Sequence, residues 1–431
     1  MNLSEMAARS RKAFYDLSVS PAEIRNRALL ILAEQLEKDQ EHIFAANAED
    51  CRLAEQEGLA APLLKRLVFD RSKLAQVQDG LRALSCLPDP VGRTEFCHEI
   101  TEGLKLYRVT CPIGVIGIIF ESRPDALIQI ASLSIKSGNA SLLKGGREAL
   151  RTNQVLIQSV QASLQKSGLP TDAALLLETR EDVAAMLKED ELIDLIIPRG
   201  SNAFVRYIMD NSRIPVLGHA DGICHVYVDR SADLGMALRV ALDSKVQNLS
   251  VCNAEETLLV HQDIAPTFLP PFSDLLIRNG VEIRGDEAVR SLISCIPATE
   301  QDWKTEYLDA ILSIRIVPSL SAAVEHINHY GSHHTDCIVT EDSAAASEFL
   351  SRVDSAGVYC NVSTRFADGF VYGLGAEVGI STGKLHSRGP MGLDGLTTYK
   401  YKLIGNGQTM EEMKNGTRRY THRILNEDCP L

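Results

Sequence analysis

The stretch VIGIIFESRPDALIQIASLSIKSGNASLLK, residues 115–144, determines how this chain folds. Its first six residues, Val115–Phe120, form an uninterrupted apolar run that is typical of a strand buried on both faces. Residues 124–135 then repeat apolar side chains at helical spacing behind a proline, and Ala140–Lys144 is a second apolar strand. Strands joined by a helix pair in parallel, because parallel neighbours need a long crossover. The stretch therefore predicts a parallel sheet covered by helices.

The same alternation continues through most of the chain. Further strands and helices are expected at residues 192–198, 202–209, 225–229, 232–244 and 256–261. The first ninety residues are expected to be helical. Residues 96–110 alternate around Gly103 as a β-hairpin does, and the charged tail after Gly405 is expected to be loosely held. The predicted fold class is α/β, with two parallel-sheet domains and a small additional β element.

Composition excludes several classes of function. The 431 residues carry a formal net charge of −13, which argues against a general nucleic-acid binder. The N-terminus has no apolar core to serve as a signal peptide, and the longest apolar run is too short to span a membrane. Ten cysteines without a C-x-x-C pair indicate neither a disulfide framework nor a zinc ribbon. We expect a cytoplasmic protein with reduced thiols.

A candidate nucleophile lies in VQNLSVCNAEET, residues 246–257. Cys252 stands there in a short polar segment between a helical pattern and a strand pattern. A thiol displayed on a loop can ionise and attack a carbonyl, whereas one among leucines is inert. Taken alone, a cysteine in polar company is more often a bystander than a nucleophile.

Two strand-to-helix junctions are candidate phosphate sites. In Pro198-Arg-Gly-Ser-Asn202, free amides at a helix start and the Ser201 hydroxyl could hold a pyrophosphate; a simple helix cap is the alternative. In Lys144-Gly-Gly-Arg147 the glycines let a ligand approach the backbone, and the two cations suit a phosphate. No G-x-G-x-x-G follows any strand.

Histidines and glycines offer weaker signals. His326, His329, His333 and His334 cluster near Cys337, but no known ligand spacing is completed, so no metal site is predicted. Adjacent strand residues point to opposite faces, so in Cys224-His225 the cysteine is expected to be a packing residue. The glycine-rich block at residues 370–392 indicates either backbone against a ligand or a structural loop.

Together these blocks resemble the gamma-glutamyl phosphate reductase family, a branch of the aldehyde dehydrogenase superfamily. The resembling segments run in the family's order and are PIGVIGIIFESRPDA from Pro112, KSGNASLLKGGREA from Lys136, IIPRGSNAFVRYI from Ile196, GICHVYVD from Gly222, SVCNAEETLLVH from Ser250, HTDCIVTED from His334 and NVSTRFADGFVYGLGAEVGISTGKLHSRGPMGLDGLTTYKY from Asn361. The last segment alone is nearly diagnostic.

The resemblance implies an activity and a nucleophile. It implies reduction of L-glutamyl 5-phosphate by NADPH to L-glutamate 5-semialdehyde and phosphate, a step toward proline, with Cys252 as the catalytic cysteine that carries a thioester. A CoA-acylating aldehyde dehydrogenase, or a catalytically lapsed scaffold of the same fold, is the alternative.

The resemblance also implies binding residues. Gly200 and Ser201 would face the pyrophosphate of the cofactor, Lys144 and Arg147 its adenosine ribose, and Glu306 its nicotinamide ribose. Arg123 and Arg365 are the candidates for the phosphate or carboxylate of the substrate, on charge and position in the blocks. An arginine near the ribose suits the 2′-phosphate of NADPH.

One departure from hydrolytic aldehyde dehydrogenases bears on the reaction. Those relatives carry a glutamate base in a segment that corresponds to residues 216–222, and here that segment holds no glutamate. A reductase must not activate water against its own thioester, so this absence favours reduction.

The resemblance finally implies a domain organisation. The expected parts are an NADPH-binding domain at residues 1–92 and 111–222, a catalytic domain at 223–368, an oligomerisation hairpin and strand at 93–110 and 396–410, and a glycine-rich active-site and interface segment at 369–395. A homo-oligomer is expected, with a glutamate 5-kinase as a possible partner that supplies the substrate.

Overall fold

The computed structural model describes residues 2–121, 123–179, 181–219, 221–375 and 377–430, and of Pro62 and Glu181 only the backbone. The chain divides into two compact units. The first contains residues 1–200, 205–217 and 391–431, and the second contains residues 201–204 and 218–390. Among the described residues, no helix is both long enough and apolar enough to cross a membrane.

The first unit contains the predicted parallel sheet. Its helices are α1 (Leu3–Ser18), α2 (Ala22–Gln56), α3 (Ala61–Leu67), α4 (Arg71–Cys86), α5 (Pro124–Lys136), α6 (Leu150–Ser167), α7 (Glu181–Met186) and α8 (Asn202–Asn211), whose first turn falls in the second unit. Its first strands are β1 (Thr94–Thr101), β2 (Leu104–Pro112), β3 (Val115–Phe120), β4 (Ala140–Lys144), β5 (Ala174–Leu177) and β6 (Leu195–Arg199).

The order of these strands creates a switch point. Four of them pair in parallel in the order β5-β4-β3-β6. The chain moves outward from β3 to β5 and then returns to the other side of β3 as β6. Ligands of open α/β sheets bind at the carboxyl ends of strands where the order reverses. This edge holds Lys144, which pairs with Ile119 of β3, and Arg199, which pairs with Phe120.

The second unit is built on a seven-stranded parallel sheet in the order β10-β9-β11-β8-β7-β12-β13. Its strands are β7 (Cys224–Val228), β8 (Glu255–His261), β9 (Glu282–Gly285), β10 (Ile296–Pro297), β11 (Ile311–Val317), β12 (Thr335–Val339), β13 (Gly357–Cys360), β14 (Gly379–Ser381) and β15 (Gly389–Met391), the last two forming a separate pair. Its helices are α9 (Leu234–Val246), α10 (Ala265–Arg278), α11 (Glu287–Arg290), α12 (Leu320–Tyr330) and α13 (Ser343–Arg352).

Helices cover both faces of this sheet. Leu258 of β8 belongs to the core under α9 and α10, whereas Leu259 belongs to the core under α12 and α13. Alternation along one strand thus buries both faces, which explains why the strands read as continuous apolar runs. The predicted α/β fold class is confirmed.

The hairpin predicted at residues 96–110 is confirmed as β1 and β2. They belong to an antiparallel sheet in the order β16-β2-β1-β17, with β16 (Thr397–Ile404) and β17 (Arg423–Leu425); α14 (Met410–Lys414) lies between them. The prediction of a loose tail was wrong for β17. The buried Glu99 carboxylate accepts a hydrogen bond from Arg423 Nε at 2.7 Å, and this ion pair fixes the tail against β1.

Candidate active site

The site forms where three neighbouring strands of the second unit begin. Strand β7 pairs in parallel with both β8 and β12. The residues that precede these three strands therefore lie together at the amino-terminal ends of the strands. Cys252 lies just before β8, His334 just before β12, and Gly222 just before β7. Parallel pairing therefore gathers residues from three distant parts of the chain.

Cys252 occupies a turn that leads into β8. The Ala254 backbone N–H donates to the carbonyl of Val251 at 3.0 Å and closes this turn. The thiol of Cys252 is half-buried, as expected for a reactive group that a substrate must reach. The predicted display of this cysteine on a polar loop is confirmed.

Cys224 contacts the backbone of Cys252, the candidate nucleophile. It is fully buried, and burial raises the pKa of its thiol well above the usual range. It therefore stays protonated, and its Sγ donates to the carbonyl oxygen of Cys252 at 3.2 Å. His225 turns away and places Nδ1 2.8 Å from the Asp336 carboxylate. The prediction that Cys224 is a packing residue is confirmed.

Gly222 approaches Cys252 more closely than any side chain would allow. A Cβ on Gly222 would lie 2.2 Å from the carbonyl oxygen of Cys252 and 2.6 Å from its Cα and Cβ. Contacts under 3.0 Å to backbone atoms are essentially never seen. Glycine is therefore required here by the close approach of two backbones.

Two imidazoles flank the thiol. One ring nitrogen of His219, one of His334 and the Cys252 sulfur all lie within 4.8 Å of one another. The rings of the two histidines stand edge to face, with centroids 4.9 Å apart. The sequence did not point to either residue as part of this site. His334 faces Cys252, whereas His326 packs against Trp303 with Nδ1 3.0 Å from an Arg315 nitrogen.

Arg365 is held beside the thiol loop by backbone contacts. The Thr364 hydroxyl donates to the carbonyl of Asn253 at 2.7 Å, and the Asn253 side chain donates to the carbonyl of Ala367 at 2.9 Å. Arg365 itself donates from Nε to Gln247 at 2.9 Å. Burial lowers the pKa of its guanidinium, and the charge of a Cys252 thiolate acts in the opposite direction. The geometry thus brings Arg365, a predicted substrate-binding cation, within electrostatic range of the candidate nucleophile Cys252.

Glu306 is hydrogen-bonded to the backbone at the amino-terminal end of β7. Its carboxylate accepts hydrogen bonds from the side chain of Asn202 and from the backbone N–H of Gly222. Burial raises the pKa of Glu306, although these donors act in the opposite direction. Because Gly222 also contacts Cys252, this glycine connects the residue predicted for the cofactor ribose to the candidate nucleophile.

The other predicted cofactor residues lie at the switch point of the first unit or directly after it. Lys144 ends β4, is largely buried, and donates from Nζ to the carbonyl of Gly145 at 2.6 Å. Gly200 and Ser201 connect β6 to α8. Arg147 begins the helical turn that leads into α6 and is highly exposed, with Glu57 at 2.6 Å. Within the first unit, two cations, Lys144 and Arg199, thus lie at the carboxyl ends of strands that both pair with β3.

Arg123, the other predicted substrate cation, precedes α5 in the first unit. It is half-exposed, and its Nη2 lies 2.9 Å from the Asp125 carboxylate. Its charge is thus shared with a neighbouring acid, so its role in substrate binding stays a prediction.

Two adjacent buried glutamates follow Cys252 in the sequence, and they differ in whether the carboxylate has a partner. Glu256 pairs with the buried Lys245 at 2.6 Å. Neither carboxylate oxygen of the fully buried Glu255 has a hydrogen-bond partner among the described residues. Burial therefore raises the pKa of Glu255 well above its usual range and favours the neutral carboxyl in the folded protein.

Replacing Glu255 with methionine, which keeps the volume and removes the carboxyl, should stabilise the fold increasingly as pH rises. A raised pKa in the folded state means that stability is full below about pH 4.3, where unfolded glutamate is protonated, and falls by about 1.4 kcal/mol per pH unit above it until the folded pKa is reached. Thermal unfolding of both proteins between about pH 5 and about pH 8 should show a widening gap in Tm.

The neighbouring substitution is the matched control. Glu256→Met strands the buried Lys245 charge and should destabilise the protein by about 3–5 kcal/mol. A Glu255→Met variant less stable than the wild type at the upper end of this pH range would contradict the assignment of a neutral carboxyl.

Comparisons with known proteins show the family to which the chain belongs. The model of the aldehyde dehydrogenase family matches residues 1–278. The gamma-glutamyl phosphate reductase of Acetivibrio thermocellus is 55% identical over 431 residues, with both chains covered completely. The crystal structure of gamma-glutamyl phosphate reductase from Thermotoga maritima superposes with a TM-score of 0.93 at 38% identity, covering 95% of this chain and 100% of that chain.

A more distant structure shows the fold alone. The acetylating aldehyde dehydrogenase of Geobacillus thermoglucosidasius has a TM-score of 0.63 at 14% identity, covering 94% of this chain and 97% of that chain. The full-length identity to the first relative and the agreement with the Thermotoga maritima structure are far more specific. This chain belongs to the gamma-glutamyl phosphate reductase family, a branch of the aldehyde dehydrogenases.

Proposed function

We propose that this enzyme reduces L-glutamyl 5-phosphate to L-glutamate 5-semialdehyde and inorganic phosphate in proline biosynthesis, through a thioester on Cys252. The observation that carries the proposal is a half-buried thiol with two imidazoles beside it and a cationic Arg365 within range. The complete match to a relative of that name supports the choice of substrate.

The residues around the thiol account for each transfer. His219 lies in the segment where hydrolytic relatives have glutamate, and its imidazole can take the proton of the thiol. The thiolate attacks the acyl carbon, the bond from carbon to the phosphate oxygen breaks, and inorganic phosphate leaves. A hydride donor would convert the thioester carbon to the aldehyde oxidation level, the carbon–sulfur bond would break to release the aldehyde and a thiolate, and the proton held by His219 would restore the thiol.

The charge of Arg365 and the absence of the glutamate base determine the outcome. Arg365 supplies positive charge for the phosphate or carboxylate of the substrate. No glutamate occurs at residues 216–222, and the segment approaches the thiol through His219 and Gly222 instead. The thioester is therefore left for reduction rather than for hydrolysis.

We propose NADPH as the cofactor that supplies the hydride; the family itself implies a nicotinamide cofactor. The residues at the switch point of the first unit fit such a group, because Lys144 and Arg199 place two cations at the carboxyl ends of the strands that pair with β3. Lys144 and Arg147 would hold its adenosine ribose and 2′-phosphate, Gly200 and Ser201 its pyrophosphate, and Glu306 its nicotinamide ribose.

Arg147→Ala should raise KM for NADPH about tenfold and change KM for NADH little, because a charge-assisted hydrogen bond contributes about 1.5–3 kcal/mol. Steady-state kinetics with both cofactors measure this. Arg52→Ala, which removes another surface arginine paired with a glutamate, is the control. An equal rise of both KM values would show that Arg147 does not read the 2′-phosphate.

The activity is tested by following NADPH oxidation in a mixture of glutamate, ATP and a glutamate 5-kinase, which generates the unstable substrate. Turnover without CoA separates this reductase from a CoA-acylating enzyme, which would remain silent. If NADPH oxidation is no faster than with a catalytically dead variant, the proposal is refuted. We place the enzyme in the cytoplasm, where such a kinase could supply it.

We further propose that the enzyme is a homo-oligomer that pairs through the antiparallel sheet. Strand β16 is an edge strand, and its exposed side chains include Tyr399, Tyr401 and Leu403. A long edge strand with exposed apolar groups is a template for pairing with another chain. Light scattering that shows a monomer would contradict this assignment.

A further inference from the structure

The residues around Cys252 have the composition of a transition-metal site. The sulfur of Cys252 and one ring nitrogen each of His219 and His334 lie within 4.8 Å of one another. Thiolate and imidazole are the ligands that zinc prefers. The proposed reduction uses Cys252 as the nucleophile and His219 as the base, and it leaves the buried His334 without a role.

His334 provides a second, independent observation. It is 1% exposed, and its Nε2 atom is buried without a hydrogen-bond partner among the described residues. Its Nδ1 lies 2.9 Å from the Thr335 hydroxyl, which fixes the ring. A buried nitrogen without a partner is costly unless another group meets its lone pair. A metal ion would do so.

His219 is oriented as metal-binding histidines are. Its Nδ1 lies 2.9 Å from the carbonyl oxygen of Ile380. A carbonyl accepts, so Nδ1 carries the proton and the lone pair is at Nε2. Histidine ligands almost always donate their second ring nitrogen to a carbonyl or carboxylate in this way.

We propose that Cys252, His219 and His334 bind Zn²⁺ and that the bound ion switches the enzyme off. The inference rests on the proposed function, because the ligand sulfur is the proposed nucleophile. Tetrahedral zinc with bonds of about 2.0–2.3 Å needs ligand atoms roughly 3.5 Å apart. Zinc binding therefore shortens the distances between the three ligand atoms by about 1 Å. Cys252 and His219 can make this movement because both are half-buried and lie on loops. Water completes the fourth position.

Inhibition follows from the bonding. A sulfur bound to zinc has given its electron pair to the metal and no longer attacks an acyl phosphate. Chelation returns the free thiol, so the block is reversible. Activity in the presence of EDTA should accordingly be full, and micromolar zinc should suppress turnover.

Binding is tested with Co²⁺, which occupies zinc sites and reports a sulfur ligand by its thiolate-to-cobalt absorption band. The band should appear with the wild-type enzyme and vanish in Cys252→Ser. His334→Asn keeps a nitrogen near the Nδ1 position and removes Nε2. It should weaken Co²⁺ binding and zinc inhibition by at least about tenfold, since even outer-shell changes cost about 10–100-fold. His329→Asn, on the exposed part of α12, is the matched control and should bind as the wild type does.

A second measurement needs no variant. Zinc should protect Cys252 of the wild-type enzyme from iodoacetamide, as read by peptide mass spectrometry, while the exposed Cys86 is alkylated at an unchanged rate. Unprotected Cys252 at inhibitory zinc concentrations, or a cobalt band that persists in Cys252→Ser, would overturn the proposal.

The two proposals fail separately. Reductase activity in EDTA without any cobalt band would sink the zinc site and leave the function standing. A band that depends on Cys252 and His334 in a protein without reductase activity would support the metal site and refute the function.

Discussion

Cys252→Ser should lower reductase turnover by roughly 10⁴-fold or more, because removal of a covalent nucleophile leaves only the contribution of substrate binding. A serine hydroxyl occupies the same half-buried position before β8, yet a hydroxyl gives up its proton far less readily than a thiol does and is a much weaker nucleophile. The thioester then cannot form. Steady-state NADPH oxidation with kinase-generated substrate measures the loss.

The adduct itself provides the sharper test. Wild-type enzyme mixed with the acyl phosphate and no reductant should carry one glutamyl group, and peptide mass spectrometry should place it on Cys252. Cys86→Ser, at an exposed cysteine, is the control and should retain both the adduct and the activity. An acyl group on another side chain, or wild-type turnover in Cys252→Ser, would remove this cysteine from the reaction.

The sequence predicted the fold well because the strands of a parallel sheet are buried on both faces. Strands β3 and β4 begin and end where their apolar runs do, and the helix predicted at residues 124–135 is one residue longer in the structure. The charged tail was mispredicted because the partner of Arg423 lies more than three hundred residues away at Glu99. Local composition contains no trace of such a contact.

The candidate site was predictable only in part, and for a related reason. Cys252 stood out because its loop is polar, and the cation-bearing turns were visible beside their strands. His219 and His334 could not be assigned, since only the pairing of β7 with β8 and β12 brings their loops together. The spacing of His326, His329, His333 and His334 suggested a different cluster. In the structure the first two lie in α12, and the last two lie just before β12.

Gly222→Ala should reduce kcat by about 10²-fold, because misplacing a reacting group by about 1 Å costs roughly that much. The added methyl group would lie 2.2 Å from the Cys252 carbonyl oxygen, and that oxygen is held by Cys224 at 3.2 Å. The thiol loop must therefore move as a whole. Since the Gly222 amide also donates to Glu306, cofactor affinity should fall with turnover.

The control for this substitution is another glycine of the same unit with room for a methyl group. At Gly235 in α9 the nearest atoms to a new Cβ are side-chain atoms at 3.4 and 3.5 Å. Gly235→Ala should keep full activity and gain up to about 1 kcal/mol of stability from helix propensity. Thermal unfolding and the rate of Cys252 alkylation distinguish a displaced thiol from an unfolded protein. A folded Gly222→Ala enzyme with wild-type kcat would mean that the thiol loop tolerates displacement, and the close approach of these two backbones would then have no part in positioning the nucleophile.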